Sequence, residues 1–256
     1  MSAVENTHAG RGDIPVVTDM PWWGTAASIA LPTVLIVGLA VASYLQPPRF
    51  DAMNNTVSAL AATGANDDWI MTATFIAVGA IAIVTALGLR PAAGPGRFVL
   101  GAGGFGGMMV AAFPEHLGGS LVHACWAGVG FGGLVLWPLI ASRGGPDVPW
   151  GLRRATGAAV TGVYCALLIW FLTEELTRGL EIGVAERAAG LSMCLWPLLV
   201  AVSCRLSRPV AMAVAEMTGT AGPGAGLSGL GPPERSALED LCGIVTSATF
   251  QSGRRA

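Results

Sequence analysis

The stretch WIMTATFIAVGAIAIVTALGL, residues 69–89, decides the fold of this chain. It holds no charged side chain, and its length fits the ~20 apolar residues that an α-helix needs to cross a bilayer. The hydrocarbon core offers the backbone no hydrogen-bonding partner, so a spanning segment of this kind must be helical. Residues 69–89 therefore predict a transmembrane α-helix.

One further apolar run precedes this stretch and four follow it. These runs are Trp22–Leu45, Phe98–Phe113, Leu121–Ala141, Ala155–Leu172 and Ala188–Cys204. Phe98–Phe113 is the shortest and is rich in glycine, and Pro114–Glu115 or local thinning of the bilayer would extend its reach. The six runs together predict an all-α fold, a polytopic membrane bundle of six transmembrane helices.

The composition agrees with a membrane protein. Hydrophobic residues make up 53% of the chain and charged residues only 12%, whereas a soluble domain carries about 25% charge. No basic patch with interleaved aromatic residues is present, which argues against a nucleic-acid partner. The five cysteines lack metal-site spacing, and we expect no structural disulfide, no metal and no cofactor.

Arginine residues set the expected orientation of the bundle. With six spans, both tails and the second and fourth loops lie on one side and hold eleven arginines. The other side holds three, which are Arg49, Arg178 and Arg187. Loops rich in arginine stay in the cytoplasm. We therefore expect cytoplasmic termini in a multi-pass protein of the plasma membrane.

The chain divides into three parts by composition. Residues 1–20 are a polar tail, residues 21–206 are the transmembrane domain, and residues 207–256 contain a linker rich in glycine and proline. Such a tail buries too little apolar surface to order itself, so we expect it to be mostly disordered and cytoplasmic. The alternative is a helix on the inner membrane surface, with Leu238, Leu241 and Val245 on one face.

Two glycine pairs predict close packing of helices. Gly103 and Gly107 lie in the third run, and Gly128 and Gly132 lie in the fourth. Glycines four residues apart allow two helix backbones to approach each other. In a chain with 36 glycines such pairs also arise by chance, so they indicate tight packing and no particular partner.

Polar side chains gather in the three predicted outer loops and at the adjoining helix ends. The candidate binding residues are Arg49, Asp51, Ser58, Glu115, His116, Ser120, His123, Glu186 and Arg187. We expect them to converge if the bundle is compact. An ionisable group at membrane depth is costly, so its first interpretation is functional. Glu174, Glu175 and Glu181 are expected to form a solvated acidic loop.

Three of these residues are also candidates for catalysis. Ser58 as nucleophile, His123 as general base and Glu115 or Asp51 as the acid would supply the groups for nucleophilic catalysis. No nucleophile-elbow motif supports this interpretation. We favour a structural role, in which His123 bonds to a neighbouring loop and Ser58 caps a helix. A zinc site on His116 and His123 would lack further ligands of fixed spacing.

Arg187 has two interpretations. Its planar guanidinium suits the carboxylate of Glu115 or Asp51, or a lipid phosphate. The alternative, which we favour, is a structural ion pair at Glu186-Arg187 that fixes the sixth helix to the loops.

The same residues resemble a known family. The motifs are Arg49-Phe50-Asp51, Val57-Ser58-Ala59-Leu60, Ala112-Phe113-Pro114-Glu115, His123, Ala185-Glu186-Arg187 and Trp196-Pro197. In this order they resemble the bacterial membrane family called domain of unknown function 998 (DUF998), over residues 25–206. The resemblance implies six helices and an outward polar site built on Asp51, Ser58, Glu115, His123 and Arg187. Ala61 replaces the family's usual glycine, and Glu115 its usual aspartate.

The residues favour a non-enzymatic function over catalysis. We expect an integral membrane protein that binds a membrane lipid or a small partner through the outer polar residues. A homo-oligomer or another membrane protein is the further expected partner. The alternative is a membrane-embedded lipid hydrolase that uses Ser58, His123 and an acid. A small-molecule transporter is third, because the spans lack charges near the midplane.

Overall fold

The computed structural model describes residues 20–115, 120–145 and 147–217, with side chains as far as Ser207. These residues form six α-helices: α1 Trp22–Tyr44, α2 Asp68–Gly88, α3 Gly94–Ala112, α4 Leu121–Ile140, α5 Arg154–Thr177 and α6 Ile182–Met217. Two short 3-10 turns, Ser58–Ala61 and Trp150–Leu152, lie in the connections. The described residues contain no β-strand, which confirms the all-α class.

Five of the helices are long and apolar enough to cross a membrane. They are α1, α2, α4, α5 and the Ile182–Ser207 part of α6. The α3 helix, which corresponds to the short glycine-rich run, is not among them. The chain divides into two units, residues 1–208 and 209–256, and the bundle lies in the first. The predicted tails fall mostly outside the described residues, although α6 continues past residue 206 to Met217.

Helices α1 to α5 pack in chain order, each against the next. The α3 helix lies antiparallel to α4 along its whole length. At one end Gly96 packs against the backbone of Ala141, and Ala93 N donates to Ala141 O at 3.0 Å. At the other end the ring of His123 lies against the Phe113 carbonyl.

Glycines bring α3 and α4 together. Gly103 and Gly106 on α3 meet the backbone of Gly130 and Gly133 on α4. A Cβ atom at Gly107, Gly128 or Gly132 would meet nothing within 4 Å. Of the predicted glycines, Gly103 lies at the close contact and the backbone of Gly107 adjoins Gly130, whereas Gly128 and Gly132 take no part in it. Residues three and four apart share a helix face, so spacing alone does not select the contact.

The α6 helix is the most buried of the five spans. Half of the residues in its 18-residue apolar segment are buried, against 33% or fewer in the corresponding segments of the other four helices. Tyr164 Oη on α5 donates to Ser192 O at 2.8 Å, and Arg205 Nη2 donates to Thr25 Oγ1 on α1 at 3.2 Å. Hydrogen bonds to both neighbours place α6 between α5 and α1, where it closes the bundle.

Two helices extend beyond their apolar runs. The α5 helix continues through Glu174 and Glu175, and α6 begins before Glu186. Charged residues end a hydropathic run, yet glutamate and arginine favour helix. The predicted loop between the fifth and sixth spans therefore shrinks to residues 178–181. Glu174 also takes part in this turn, because its Oε2 accepts from Glu181 N at 3.0 Å.

Candidate functional site: a cavity within the bundle

A cavity lies among α1, α2, α3, α4 and α6. Its volume is about 120 Å³, or about 870 Å³ when the space open to its surroundings is included. Nearly all of its lining is apolar, contributed by leucine, valine, alanine, phenylalanine and glycine residues of the five helices. The charged and hydroxyl-bearing residues in the lining are Ser58, Glu186 and Arg187.

The polar residues lie at one end of the cavity. On α1 the lining runs from Leu31 to Leu39, which corresponds to roughly 12 Å along a helix axis. On α6 the lining runs over the same length from Glu186 to Cys194. Because α6 begins at the end that carries the Ser58 turn, Glu186 marks the polar end and Cys194 the apolar end. We call the polar end the Ser58 end.

Glu186 joins α6 to the segment that follows α1. The side chain is only 5% exposed. Its Oε2 accepts from Val57 N at 2.5 Å, and its Oε1 accepts from Ser58 Oγ at 3.2 Å. Both donors lie at the start of the Ser58–Ala61 turn, which Thr56 also supports by accepting from Ala59 N. A buried carboxylate needs such donors, so Glu186 and the turn depend on each other.

Arg187 holds the preceding part of the same segment. Its Nη1 donates to the carbonyls of Ala52, Asn55 and Gly183, at 2.7 to 2.8 Å. Gly183 N donates in turn to Met53 O at 2.8 Å. These contacts are so close that a Cβ atom at Gly183 would collide with Ala52 O and Asn55 O. Val57, Ser58, Glu186 and Arg187 form what we call the Glu186 cluster.

A second polar group joins α3 to α4. Ser120 caps α4 by accepting from His123 N at 3.3 Å, and His123 Nδ1 lies 2.9 Å from Phe113 O. His123 is 9% exposed. It lies one helical turn before Ala127, which lines the cavity, so the two share a face of α4. Phe113, Ser120 and His123 form the His123 cluster.

The predicted site residues thus fall into separate groups. Ser58, Glu186 and Arg187 lie together in the Glu186 cluster, whereas Ser120 and His123 belong to the His123 cluster. The hydrogen bonds of Ser58 and His123 go to different partners. Arg49 and Asp51 are exposed, Glu115 is partly exposed, and His116 lies outside the described residues.

Asp51, one of the loop acids expected to meet Arg187, has other partners. Asp51 accepts from Met53 N at 2.9 Å and from Asn54 Nδ2 at 2.6 Å, which folds its own loop. Arg187 Nη1 instead binds backbone carbonyls, and its Nη2 is buried with no partner among the described residues. Among those residues no three His, Cys, Asp or Glu side chains come together in a group that could hold a metal ion.

Sequence reasoning missed the cavity. Its apolar lining looks like any helix core, Gly190 gave no signal beyond the abundance of glycine, and Gly107 was interpreted as a packing contact. Both line the cavity, and a Cβ atom at either would meet nothing within 4 Å. The backbone partners of Glu186 and Arg187 were also missed, because every residue offers the same amide and carbonyl.

Comparison with known proteins gives one result. The family model described as "Protein of unknown function (DUF998)" matches residues 28–203. No curated protein and no solved structure matches the chain. The match covers most of the chain, including the cavity and both polar clusters, and it confirms the resemblance found in the motifs. The chain therefore belongs to the DUF998 family.

Proposed function

We propose that the protein binds a single hydrocarbon chain of an amphiphilic lipid in the cavity, with the lipid's polar end at the Ser58 end. The observation that carries this proposal is the apolar cavity of about 120 Å³ within the membrane-spanning helices. Left empty, such a space denies its apolar lining dispersion contacts, which costs free energy. Lipid chains surround the bundle and would remove this cost.

The lining favours a chain over water or an ion. Water needs two to four polar partners in a cavity, and this lining offers polar groups only at the Ser58 end. There, the carboxylate of Glu186 is already bonded to Val57 and Ser58. Arg187 Nη2 has no acceptor among the described residues, and an ester or carboxylate oxygen of the lipid would supply one. A lipid therefore suits both ends of the cavity: its oxygen-bearing head fits the Ser58 end, and its hydrocarbon chain fits the apolar end.

Binding suits the geometry better than hydrolysis. A serine nucleophile needs its base within hydrogen-bonding reach. The Ser58 hydroxyl instead donates to Glu186, and His123 Nδ1 faces the Phe113 carbonyl. Both polar clusters join segments of the fold. His123 bonds to a neighbouring carbonyl, as its structural interpretation expected, whereas Ser58 donates to Glu186 and does not cap a helix.

We further propose six spans with both termini in the cytoplasm. The α4 helix is long and apolar enough to cross a membrane, and α3 lies beside it from end to end. With 19 residues α3 is ~28 Å long, close to the ~30 Å of the hydrocarbon core. In the plasma membrane the arginine bias then places the Ser58 end on the extracytoplasmic side.

Photolabelling of the cavity tests lipid binding. A fatty acid or phospholipid with a diazirine near the chain terminus would be added to the purified protein, and labelled peptides would be identified by mass spectrometry. We expect labelling of α1 and α6 residues between the Ser58 end and Cys194. Gly107→Leu and Gly190→Leu should reduce it several-fold, because each side chain would grow into the cavity.

Matched controls are available on the outer faces of the bundle. Gly128→Leu and Gly162→Leu also introduce side chains where a Cβ atom meets nothing within 4 Å, but neither residue lines the cavity. These variants should label like wild type. Equal labelling of all four variants, or labelling of outward-facing residues alone in the wild-type protein, would contradict the proposal.

A further inference from the structure

The end of the bundle opposite Ser58 is rich in arginine. Within residues 20–207 as described, it holds six arginines and one acid, Asp147, which is exposed. The arginines are Arg90, Arg97, Arg143, Arg153, Arg154 and Arg205. We call this end the arginine face. A charge excess of this size at the level of the headgroups attracts anionic lipid.

Two of these arginines, Arg97 and Arg205, are engaged by helices α1 and α2. Arg97 Nε and Nη2 donate to Ala86 O and Leu87 O, both at 2.8 Å, and so satisfy carbonyls at the end of α2. Arg205 is bonded to Thr25 on α1. Their guanidinium groups are therefore partly used within the protein.

Three arginines meet in the connection between α4 and α5. Arg143 Nη2 donates to Ala92 O at 3.3 Å, and Arg153 Nε donates to Val148 O at 3.1 Å. Arg143 and Arg153 also form a backbone bridge, with Arg143 N donating to Leu152 O at 2.7 Å. The guanidinium of Arg154 lies beside Gly144, 3.6 Å from the position of a Cβ atom there. The fold thus brings three cations to one turn.

The surroundings of this turn suit a phospholipid. Arg153 and Arg154 are exposed, and α5 starts at Arg154 with no acid in its first turn. Leu139 and Ile140, at the end of α4, are 43% and 38% exposed and offer contact to acyl chains. A free phosphate would gain nothing from these apolar side chains. Arginine's planar fork matches the phosphate oxygens.

We propose that the α4–α5 turn binds the phosphate of an anionic phospholipid through Arg143, Arg153 and Arg154. This site is separate from the cavity, and it does not depend on lipid binding there. Arg143 and Arg153 are held by backbone carbonyls, whereas the exposed Arg154 has no such bond among the described residues and is available to the headgroup.

Nanodiscs of defined composition test this site. The melting temperature of the whole protein would be measured in phosphatidylcholine alone and with phosphatidylglycerol added. We expect phosphatidylglycerol to raise the melting temperature of the wild-type protein, and R154Q to lose most of that shift. R90Q removes an exposed charge from the neighbouring turn, and R178Q removes one from the opposite end, so both should keep it.

Three outcomes would overturn the proposal. An unchanged melting temperature of the wild-type protein on addition of phosphatidylglycerol would mean that no anionic site exists. R90Q and R154Q losing the shift equally would indicate diffuse attraction to the whole arginine face. Inorganic phosphate reproducing the shift in phosphatidylcholine nanodiscs would indicate a site for free phosphate and not for a lipid.

Discussion

Glu186 is buried on α6, and both of its carboxylate oxygens accept hydrogen bonds from the segment after α1. Two physical roles are open to such a group: it provides acceptors, or it provides charge. The geometry favours acceptors, because the donors are a backbone amide and a hydroxyl. Arg187, the adjacent cation, has its Nη1 bonded to backbone carbonyls.

Substitutions of Glu186 separate these roles. Glu186→Gln keeps an acceptor for Val57 N, and its amide NH₂ can donate to Ser58 Oγ, so we expect a loss below about 1 kcal/mol. Glu186→Leu leaves Val57 N buried and unpaired, which costs about 1–3 kcal/mol. Thermal unfolding in one detergent measures both.

Ser58→Ala and Glu181→Gln complete this comparison. Ser58→Ala removes one hydrogen bond and should cost about 1 kcal/mol, whereas the exposed Glu181 should tolerate glutamine without effect. If Glu186→Gln were as damaging as Glu186→Leu, the negative charge itself would be what the bundle requires.

For single residues, the sequence identifies the important polar side chains better than it identifies the groups to which they hydrogen-bond. Glu186, Arg187 and Ser58 stood out because charged and hydroxyl groups are conspicuous beside apolar runs. Their actual partners include Val57 N and Ala52 O, which differ in no way from other backbone groups in a one-dimensional pattern. His123 likewise bonds to a carbonyl, and only the packing of α3 on α4 brings that carbonyl within reach.

Among the elements, α3 tests the role of glycine most directly. Gly104 meets Gly79 O and the Cβ atom of Ala82 on α2, so an added methyl group would collide with them. Gly107 lies on the same helix, where the corresponding space is open to the cavity. Both residues are glycines with the same intrinsic helix propensity, so the two positions differ only in their surroundings.

We therefore expect Gly104→Ala to destabilise the protein and Gly107→Ala to be neutral or stabilising. Overpacking typically costs about 1–3 kcal/mol, whereas alanine in a helix gains up to about 1 kcal/mol over glycine. Denaturation of the two variants under identical conditions gives the comparison. Equal stability would show that α2 and α3 do not pack as closely as described.

Element positions followed from hydropathy, but element ends did not. The six apolar runs all contain the centre of a helix, since burying a backbone in hydrocarbon requires one. The fifth and sixth apolar runs stop short of Glu174, Glu175 and Glu186, yet α5 and α6 include these residues. Helix continuation depends on backbone hydrogen bonds and propensity, and hydropathy records neither.

For the whole molecule, the course of α3 across the membrane decides the topology of everything that follows it. Thr63, Asp147 and Leu180 are exposed residues in three different connections. Six spans with a cytoplasmic N-terminus place positions 63 and 180 outside and position 147 inside. If α3 did not cross, position 147 would lie outside and position 180 inside.

Single cysteines at these positions distinguish the two topologies. In a background without native cysteines, an impermeant maleimide applied to intact cells should label Thr63→Cys and Leu180→Cys but not Asp147→Cys. Labelling all three after permeabilisation provides the control. Labelling of Asp147→Cys and not of Leu180→Cys in intact cells would reduce the bundle to five spans.

The place of α6 in the bundle has a consequence for biosynthesis. Val57 N finds its acceptor 129 residues later in the chain. At about 5–20 residues per second, translation of that interval takes roughly 6–26 s. Throughout this time the first loop lacks its carboxylate, and the cavity lacks one wall. A nascent chain that stops before α6 can insert its earlier helices, yet it presents an open, unfinished bundle to the proteases that survey the membrane.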